Sequence, residues 1–364
     1  MTNVTYHSEV VGSLLRPPYL LEARRQFEAG QLSAPDFKAI EDRAVNEAIA
    51  LQESVGVDVI TDGEMRRYAF YGHLIDALEG FDKFGGMAIP FRDETGAQIL
   101  HQLHVVVGRL KWRRNMCAEE WVYLRSRKTL PAKMTLPDVW QTAANYDPQK
   151  SKAAYPTQDE YLADLVDITR REIEELIRLG CTYIQFDAPY YTALLDPLSR
   201  ERFRQQGLDP DRLLAQGAEV ENAVIAGYPG ITFAIHLCRG NNQSMFMASG
   251  DYHPIAQLFS QTHFDRFLLE YDDERSGGFE PLRHVPDDRT VVLGLVSTKK
   301  AQLEPAEELR QRIKEATRYI PLERLALSPQ CGFASTMEGN HISFEDQRRK
   351  LELVVNVARE VWGG

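Results

Sequence analysis

Eight short runs of mainly apolar residues recur along the chain, and most of them end in polar residues. They cover residues 8–15, 57–64, 131–137, 181–189, 232–240, 266–273, 290–299 and 324–332. Several are nearly continuous apolar runs, which is the pattern of strands that are buried on both faces. The sequence therefore predicts eight strands, and their pattern favours a parallel sheet.

Amphipathic segments lie between most of these runs. Residues 19–55 carry apolar positions at helical spacing with a break near Gly30, and residues 157–180 show the clearest helical pattern. Further helices are predicted over 305–320 and 343–362. Eight strands that alternate with helices predict an α/β fold, specifically a (β/α)8 TIM barrel. An open doubly wound sheet is the alternative, but no GxGxxG motif follows the first strand to support it.

The segment 80–130 interrupts this alternation. It contains HQLHVVVGRLKWRRN, in which polar and apolar residues alternate as they do in a strand. We expect it to form a hairpin insertion between strands 2 and 3, near the mouth of the barrel. No internal repeat or Pro/Gly-rich linker divides the chain, so residues 1–364 are predicted to form a single domain.

Composition and charge argue against several classes of protein. Of 364 residues, 43% are hydrophobic and 26% are charged, with a formal net charge of -11. Proteins of this size that bind nucleic acid are more often basic, and there is no apolar run of about 18 residues that would span a membrane. The N-terminal residues carry neither the basic nor the apolar region of a secretory signal. We therefore expect a cytoplasmic enzyme with neither a nucleic-acid nor a membrane partner.

The four cysteines are Cys117, Cys181, Cys238 and Cys331. In the cytoplasm such thiols stay reduced, so they are candidates for metal binding rather than for disulfides. Cys238 shares the end of the fifth run with His236, and residues two apart on a strand point to the same side. We interpret Cys117 and Cys181 as structural residues.

Strand carboxyl ends form the active-site face of a barrel. Glu270 ends the sixth run and Cys331 ends the eighth. His236, Cys238, Glu270 and Cys331 are therefore predicted to surround one Zn²⁺ ion with tetrahedral geometry. Each residue alone has a commoner explanation, since a strand cysteine is usually a small buried apolar residue. The prediction depends on their joint placement at one face.

This donor set has a chemical consequence. Two thiolates, a carboxylate and a neutral imidazole give zinc a net negative site, which makes it a poor Lewis acid for carbonyl groups. A free thiol has a pKa of about 8.5 and is mostly protonated at neutral pH, but metal coordination deprotonates it. The predicted site therefore favours alkylation of a thiol over hydrolysis.

Eight motifs, spread over nearly the whole chain, resemble the cobalamin-independent methionine synthase family, in particular its C-terminal catalytic barrel. The motifs are VGSLLRP (11–17), TDGEMRR (61–67), AKMTLP (132–137), YIQFDAP (183–189), HLCRG (236–240), LLEYDD (268–273), LGLVSTK (293–299) and LSPQCGFAS (327–335). The resemblance implies that the four predicted ligands match the family's zinc ligands in type and order.

The resemblance also implies a substrate and a reaction. Ser13 matches a serine whose backbone contacts the carboxylate of an amino-acid thiol, and Glu64 and Asp187 match acids that hold its ammonium group. The implied reaction is methyl transfer to homocysteine, which forms methionine, with methyltetrahydrofolate as a candidate donor. A corrinoid protein, a small methylated metabolite and a homo-oligomeric state remain open.

The chain departs from the family pattern in three places. It is about half the length of the two-barrel synthases, so we expect no N-terminal barrel of the kind that helps to bind polyglutamyl folate. The family's Asp-Glu-Pro after the fourth strand is replaced by Asp187-Ala188-Pro189. Lys299 lies in the region where those synthases carry a histidine that assists methyl transfer. Asp187 and Lys299 are the predicted catalytic residues; a salt bridge at the barrel rim is the alternative role for Lys299.

Three more residues are predicted to contact substrates. Arg16 would bind a carboxylate or a pterin tail, Trp140 would stack on a planar donor, and Tyr190 would line the cavity. The alternatives are a rim salt bridge for Arg16 and packing for Trp140.

Two other functions remain open at this point. Single-barrel zinc enzymes of the same superfamily join other thiols to other electrophiles, for example coenzyme M to an epoxide. Glu64 and Asp187 favour an amino-acid thiol, because paired acids would repel a sulfonate. The same class includes a lyase that eliminates a thiol from an alkyl adduct. A non-catalytic protein that stores zinc, or a regulatory one that merely binds thiol amino acids, is the remaining possibility.

Overall fold

The computed structural model describes residues 6–82, 85–205 and 209–363. Its strands are β1 (Leu78–Asp82), β2 (Ala88–Arg92), β3 (Gln98–Gln102), β4 (Val105–Trp112), β5 (Met134–Pro137), β6 (Tyr183–Asp187), β7 (Thr232–Leu237), β8 (Arg266–Glu270), β9 (Thr290–Val296) and β10 (Leu325–Pro329). Its α-helices are α1 (Pro18–Glu28), α2 (Ala34–Val55), α3 (Gly72–Ala77), α4 (Ala118–Arg127), α5 (Gln158–Arg178), α6 (Pro189–Ala193), α7 (Pro197–Gln205), α8 (Pro210–Ile225), α9 (Ala256–Gln261), α10 (Ala306–Ala316) and α11 (Phe344–Trp362).

Strands β5 to β10 form one parallel sheet in which neighbours in sequence are also neighbours in space. Every residue of β5, β6, β8 and β10 is buried, as their continuous apolar runs predicted. Helices separate consecutive strands of this sheet, except that short 3-10 turns stand between β8 and β9. The predicted α/β fold with a parallel sheet is confirmed.

The first two predicted strands, 8–15 and 57–64, form isolated bridges instead of strands. These parallel bridges join Ser8 to Leu327, Glu9 to Val59, and Ile60 to Ala132. The bridges thus connect β10 to the first segment, the first segment to the second, and the second segment to the residues just before β5. The second segment leaves the extended conformation at Gly63 and Glu64, whose φ angles are 71° and 55°, so its pairing cannot continue. The expectation of eight full strands is thus corrected to six strands and two bridged segments.

The predicted helices match the structure with small changes. The region 19–55 is divided into α1 and α2 at Gly30, which has a φ of 71°. The side-chain oxygens of Ser33, Thr157 and Ser343 accept hydrogen bonds from backbone N–H groups at the starts of α2, α5 and α11. None of the helices within the described residues combines the length and the apolar run needed to cross a membrane.

The insertion between the second bridged segment and β5 contains four antiparallel strands. β2 pairs with β3, and β1 pairs with β4 outside them, so the arrangement is two nested two-stranded sheets rather than one hairpin. Arg92, at the end of β2, forms an antiparallel bridge to Phe246 in the loop after β7. This contact holds the insertion over the carboxyl ends of the parallel strands.

A buried ionic cluster lies at the amino ends of the parallel strands. One carboxylate oxygen of Glu9 accepts hydrogen bonds from Lys133 and from the Tyr183 hydroxyl, and the other accepts from Arg266 at 2.7 Å. All four side chains are buried. Burial would raise the pKa of Glu9, but Lys133 and Arg266 outweigh it and lower the pKa to about 2. Every charge in this cluster therefore has an opposite partner.

A small apolar cluster, separate from the main core, includes a residue of each of β6 to β10 and of both bridged segments. Its members are Val11, Val59, Tyr183, Ala234, Leu268, Val292 and Ala326. Side chains from so many strands can share one small cluster only where the sheet curves around it.

Replacing Glu9 with glutamine is expected to lower the free energy of unfolding at pH 7 by roughly 3–5 kcal/mol, because Lys133 and Arg266 remain buried without their counter-ion. The pKa of Glu9 is lowered by folding, so its contribution is present above about pH 4.5 and is lost as the pH falls toward 2. The difference in the free energy of unfolding between the wild type and the variant, measured by urea denaturation, should therefore become smaller as the pH falls from about 4.5 toward 2.

The control for this prediction is Glu22→Gln, which removes an exposed i,i+3 pair with Arg25. Exposed pairs contribute little to stability, so this variant should unfold like the wild type. Equal free energies of unfolding for Glu9→Gln and Glu22→Gln at pH 7 would contradict a stabilising role for the buried cluster.

Candidate metal centre

His236, Cys238 and Cys331 come together at the carboxyl ends of the parallel strands. One ligand atom of each lies within 4.8 Å of the others. His236 lies near the end of β7, Cys238 follows that strand, and Cys331 follows β10. All three are buried. Parallel pairing aligns the carboxyl ends of the strands, and this alignment brings residues distant in sequence to one point.

The three residues fit a metal ion by their donor chemistry. Neither ring nitrogen of His236 has a hydrogen-bond partner among the described residues, although both are buried. Leaving a buried polar group unpaired is unfavourable, so such a group requires an explanation. An imidazole nitrogen and two cysteine sulfurs at this spacing are the donors that zinc prefers.

The two cysteines affect each other's ionisation. The neighbouring Cys331 and burial raise the pKa of the Cys238 thiol well above its usual value. The same contact with Cys238 lowers the pKa of Cys331 well below its usual value against burial, and His236 and Lys299 add to this effect. One thiolate is therefore favoured at this position, which suits the capture of a cation.

Glu270, the fourth predicted ligand, lies outside this group of three. Its carboxylate is fully buried at the end of β8. One oxygen lies 3.2 Å from Lys299 Nζ and 3.5 Å from Arg275, and the other accepts a hydrogen bond from the backbone N–H of Arg239. Burial would raise the pKa of Glu270, but Lys299, Arg239 and Arg275 lower it to about 2.

Glu64 and Asp187 face the same cavity as the three metal-binding candidates. Glu64 accepts a hydrogen bond from Thr135 at 2.8 Å, while its other oxygen is buried without a partner among the described residues. Asp187 accepts one from Gln185 at 2.8 Å. Burial raises the pKa of both carboxyl groups, that of Asp187 to about 7. Two neighbouring acids with unused acceptor capacity suit a cationic group such as an ammonium.

Ser13 lies against the turn that carries Cys331. A Cβ atom at Gly332 would be 2.1 Å from Ser13 Oγ and 3.1 to 3.2 Å from the backbone N and O of Ser13, so a side chain here would crowd the contact. The backbone N–H of Phe333 donates to the Ser13 carbonyl at 2.8 Å. Gly12 allows a similar approach, because a Cβ there would lie 2.4 Å from a carboxylate oxygen of Glu64. The segments that contain Ser13, Glu64 and Cys331, all predicted to belong to the site, therefore pack directly against one another.

Arg16, predicted to bind a substrate carboxylate, is buried beside the cavity. Its guanidinium group donates to the backbone carbonyls of Glu64, Ala334 and Thr336 at 2.9 to 3.0 Å. These bonds fix the loops around the site, and Arg16 is not among the residues that line the cavity. Its role in substrate binding stays a prediction that this arrangement does not favour.

The two aromatic residues predicted to contact substrates differ in position. Tyr190 lines the cavity, as expected. Trp140 is fully buried and does not line it; its ring packs against Tyr191 with centroids 6.4 Å apart. This position matches the packing interpretation of Trp140, and its stacking on a donor stays a prediction.

The upper wall of the cavity was not predicted from the sequence. It is built by α3 and the insertion, from Leu74, Ile75, Ile89, Phe91 and Leu103. The strand-like alternation of HQLHVVV indicates that His101 and Leu103 share a face, but not which surface that face covers. His101 also lines the cavity and forms a 2.7 Å hydrogen bond with Tyr71. No lysine or arginine is found among the described lining residues of this cavity, which measures about 1050 Å³ with its open mouth.

Comparisons with known proteins agree over almost the entire chain. The family description "Cobalamin-independent synthase, Catalytic domain" matches residues 7–360. The uncharacterized protein YxjH of Bacillus subtilis is 34% identical over 363 residues, which cover 98% of this chain and 95% of YxjH. A methionine synthase of Pyrococcus abyssi is 25% identical over 358 residues, which cover 97% of this chain and 91% of that protein.

A solved structure shows the same relationship. The putative vitamin-B12 independent methionine synthase from Listeria monocytogenes superimposes with a TM-score of 0.74 at 26% identity, covering 99% of both chains. These relatives are similar in length to the present chain.

Gly332→Ala is expected to weaken zinc binding and to lower the free energy of unfolding by roughly 1–3 kcal/mol, because the added methyl group overpacks the contact with Ser13. Urea denaturation and competition with a chelating dye measure the two effects. Gly108→Ala is the control, since the nearest atom to its added Cβ lies 3.4 Å away. Unchanged zinc affinity in Gly332→Ala would show that this turn does not position Cys331.

Proposed function

The chain belongs to the cobalamin-independent synthase family and carries that family's catalytic domain, and we propose that it transfers a methyl group to the sulfur of homocysteine, forming methionine. The observation that carries this proposal is the buried group of His236, Cys238 and Cys331 at a cavity that also contains two carboxylates. The His236, Cys238 and Cys331 group suits a metal ion that binds the thiol of the substrate. The two carboxylates suit the amino group of the same substrate.

We propose that His236, Cys238 and Cys331 hold a Zn²⁺ ion, with Glu270 as the fourth ligand. Bound zinc would lower the pKa of the substrate thiol so that it reacts as a thiolate at neutral pH. All four side chains are buried, and three of them line the cavity through which the substrate would reach the ion. Low solvent access strengthens every charge interaction around the sulfur.

The remaining site residues orient the amino acid. Glu64 and Asp187 accept hydrogen bonds from its ammonium group, the backbone at Ser13 contacts its carboxylate, and Tyr190 covers it from the cavity wall. With the amino acid fixed at these points, its sulfur lies in a restricted position relative to the methyl donor. Such positioning supplies much of the rate in a transfer between two substrates.

The reaction is a single displacement in this proposal. The thiolate sulfur attacks the methyl carbon, and a sulfur–carbon bond forms while the bond between the methyl carbon and its carrier breaks. The electron pair of that bond leaves with the carrier. The two residues predicted to be catalytic have different roles in this proposal: Asp187 fixes the amino group of the substrate, and Lys299 acts on Glu270 as a positioning residue.

Methyltetrahydrofolate is one candidate methyl donor. The apolar upper wall could cover a flat ring, but the described lining residues include no cation for an anionic tail. A folate tail would therefore extend out of the mouth. A corrinoid protein or a small methylated metabolite would serve the same displacement.

The alternative is alkylation of another thiol, as in the joining of coenzyme M to an epoxide. The positions of Glu64 and Asp187 oppose a sulfonate thiol, because both are buried acids and the lining residues that the structure describes include no lysine or arginine. They favour homocysteine, which carries an ammonium group.

Two further features belong to this proposal. The six strands and the two bridged segments would form a closed (β/α)8 barrel that makes residues 1–364 one domain. A cytoplasmic location would keep the cysteines of the site reduced.

Cys331→Ser is expected to reduce zinc affinity and homocysteine methylation at least about 100-fold, since loss of even an outer partner of a metal ligand reduces affinity by about 10–100-fold. Metal content and transfer of a labelled methyl group from methyltetrahydrofolate or methylcobalamin measure both effects. Cys181→Ser is the control, because this buried thiol donates to the Tyr183 carbonyl at the opposite end of the sheet. The proposal fails if the zinc-loaded wild type methylates no thiol with methyltetrahydrofolate, with methylcobalamin or with a small methylated metabolite.

Glu64→Gln is expected to raise KM for homocysteine by about 10-fold or more, because it loses a charge-assisted hydrogen bond to the ammonium group. The control substrate is 4-mercaptobutanoate, which is homocysteine without its amino group. Steady-state kinetics should show no added loss with this thiol. An equal loss for both thiols would assign Glu64 a structural role.

A further inference from the structure

We propose that Lys299 is a positioning residue that competes with the metal for Glu270, so that Glu270 becomes a ligand that the substrate thiol can displace. The inference rests on the proposed function, because it describes how the thiol gains its place at the metal. The placement of Lys299, Glu270 and Asp272 carries it.

Lys299 is fixed beside Glu270 by its surroundings. Its side chain is 5% exposed, and Nζ lies 3.2 Å from the Glu270 carboxylate. The preceding residue, Thr298, is held at its backbone N–H and its hydroxyl by Gln330, at 2.9 and 2.8 Å. Asn340 donates to the Thr298 carbonyl at 2.9 Å. Several hydrogen bonds therefore fix the turn after β9. Lys299, which follows Thr298 in this turn, contacts Glu270, the carboxylate predicted to bind metal.

A tetrahedral metal ion has four ligand positions. In this proposal three of them are occupied by His236, Cys238 and Cys331. Glu270 and the substrate thiol would compete for the fourth. A carboxylate that leaves the metal inside a dry site is strongly disfavoured unless a cation receives it. Lys299 is such a cation within hydrogen-bond distance, so release of Glu270 leaves no unpaired charge.

Asp272 completes the arrangement. One of its oxygens lies 3.9 Å from Lys299 Nζ, and the other is buried without a hydrogen-bond partner among the described residues. Asp272 can therefore neutralise the lysine while Glu270 is on the metal. Arg275 also approaches both acids, Glu270 at 3.5 Å and Asp272 at 4.0 Å, but its guanidinium group makes its two shortest contacts with Asp273. Lys299 lies nearer to Glu270 and to Asp272 than Arg275 does, so it is the cation better placed to pair with either acid.

The test uses the full protein loaded with Co²⁺, whose absorption spectrum reports changes in its ligands. Homocysteine is titrated into the wild type and into Lys299→Met, with circular dichroism as a check on folding. We expect Lys299→Met to bind homocysteine at least about 10-fold more weakly and to bind the metal as tightly as the wild type or more tightly. A merely structural lysine would weaken both affinities together.

Three further variants sharpen the test. Lys300→Met is the matched control, because the neighbouring Lys300 is exposed and pairs with Glu94. It should behave as the wild type does. Lys299→Arg keeps the cation and should retain homocysteine binding. The double variant Lys299→Met with Glu270→Ala removes the competing carboxylate and should recover homocysteine affinity toward the wild-type value.

The outcomes separate this inference from the proposed function. No spectral response of the wild type to homocysteine would overturn both. A wild-type response together with unchanged homocysteine affinity in Lys299→Met would overturn the inference and leave the function standing. Parallel loss of metal and thiol affinity in Lys299→Met would also overturn it.

Discussion

Parallel pairing of β7 to β10 is the constraint on which the rest of this molecule depends. The register places His236 opposite Asp187 and Leu268, and Glu270 opposite Gly294, so these polar residues lie within two residues of one level. A Cβ at Gly294 would lie 2.9 Å from the Leu269 carbonyl and 2.8 Å from the Cα of Gln330, which shows how closely the strand ends approach. A slip of two residues in either pair would separate the imidazole, the carboxylate and the sulfurs.

The two ends of the parallel strands differ in how far their buried polar groups are paired. At the amino ends, Glu9 is fully paired by Lys133 and Arg266. At the carboxyl ends, both nitrogens of His236 and one oxygen each of Glu64 and Asp272 lack partners among the described residues. In the amino-end cluster Arg266 Nε also lacks a hydrogen-bond partner in the described part of the chain, but the charges there are paired, whereas the unpaired atoms of His236 and Glu64 at the carboxyl ends belong to residues that line the cavity. Unsatisfied groups that persist at one end are therefore expected to meet a ligand there.

The sequence predicted those features that depend on local pattern. Continuous apolar runs located the six parallel strands, and residues at their ends identified His236, Cys238 and Cys331. Features that depend on three-dimensional neighbours were missed. The bridges of 57–64 end at Ile60, and the backbone angles of Gly63 and Glu64 prevent the strand from continuing; no hydropathy pattern contains that information. The sequence offered a salt bridge as one role for Lys299, and the structure shows one, but nothing in the sequence identifies its partner as Glu270, 29 residues away.

The insertion shows the same limit. Its strand-like alternation was recognised, but its role as the apolar wall of the cavity depends on the bridge between Arg92 and Phe246. The buried guanidinium of Arg16 is similar: its position after the first bridged segment suggested a substrate contact, whereas its bonds go to loop carbonyls. In both cases a long-range contact decides which surface a side chain faces.

The central claim is that one ion joins side chains that lie far apart in the chain. A crystal structure of the zinc-loaded protein, with diffraction data collected on both sides of the zinc absorption edge, tests it most directly. The account predicts one anomalous peak about 2.0–2.3 Å from a His236 nitrogen and from the sulfurs of Cys238 and Cys331. A peak elsewhere, or no peak between these three side chains, would contradict it.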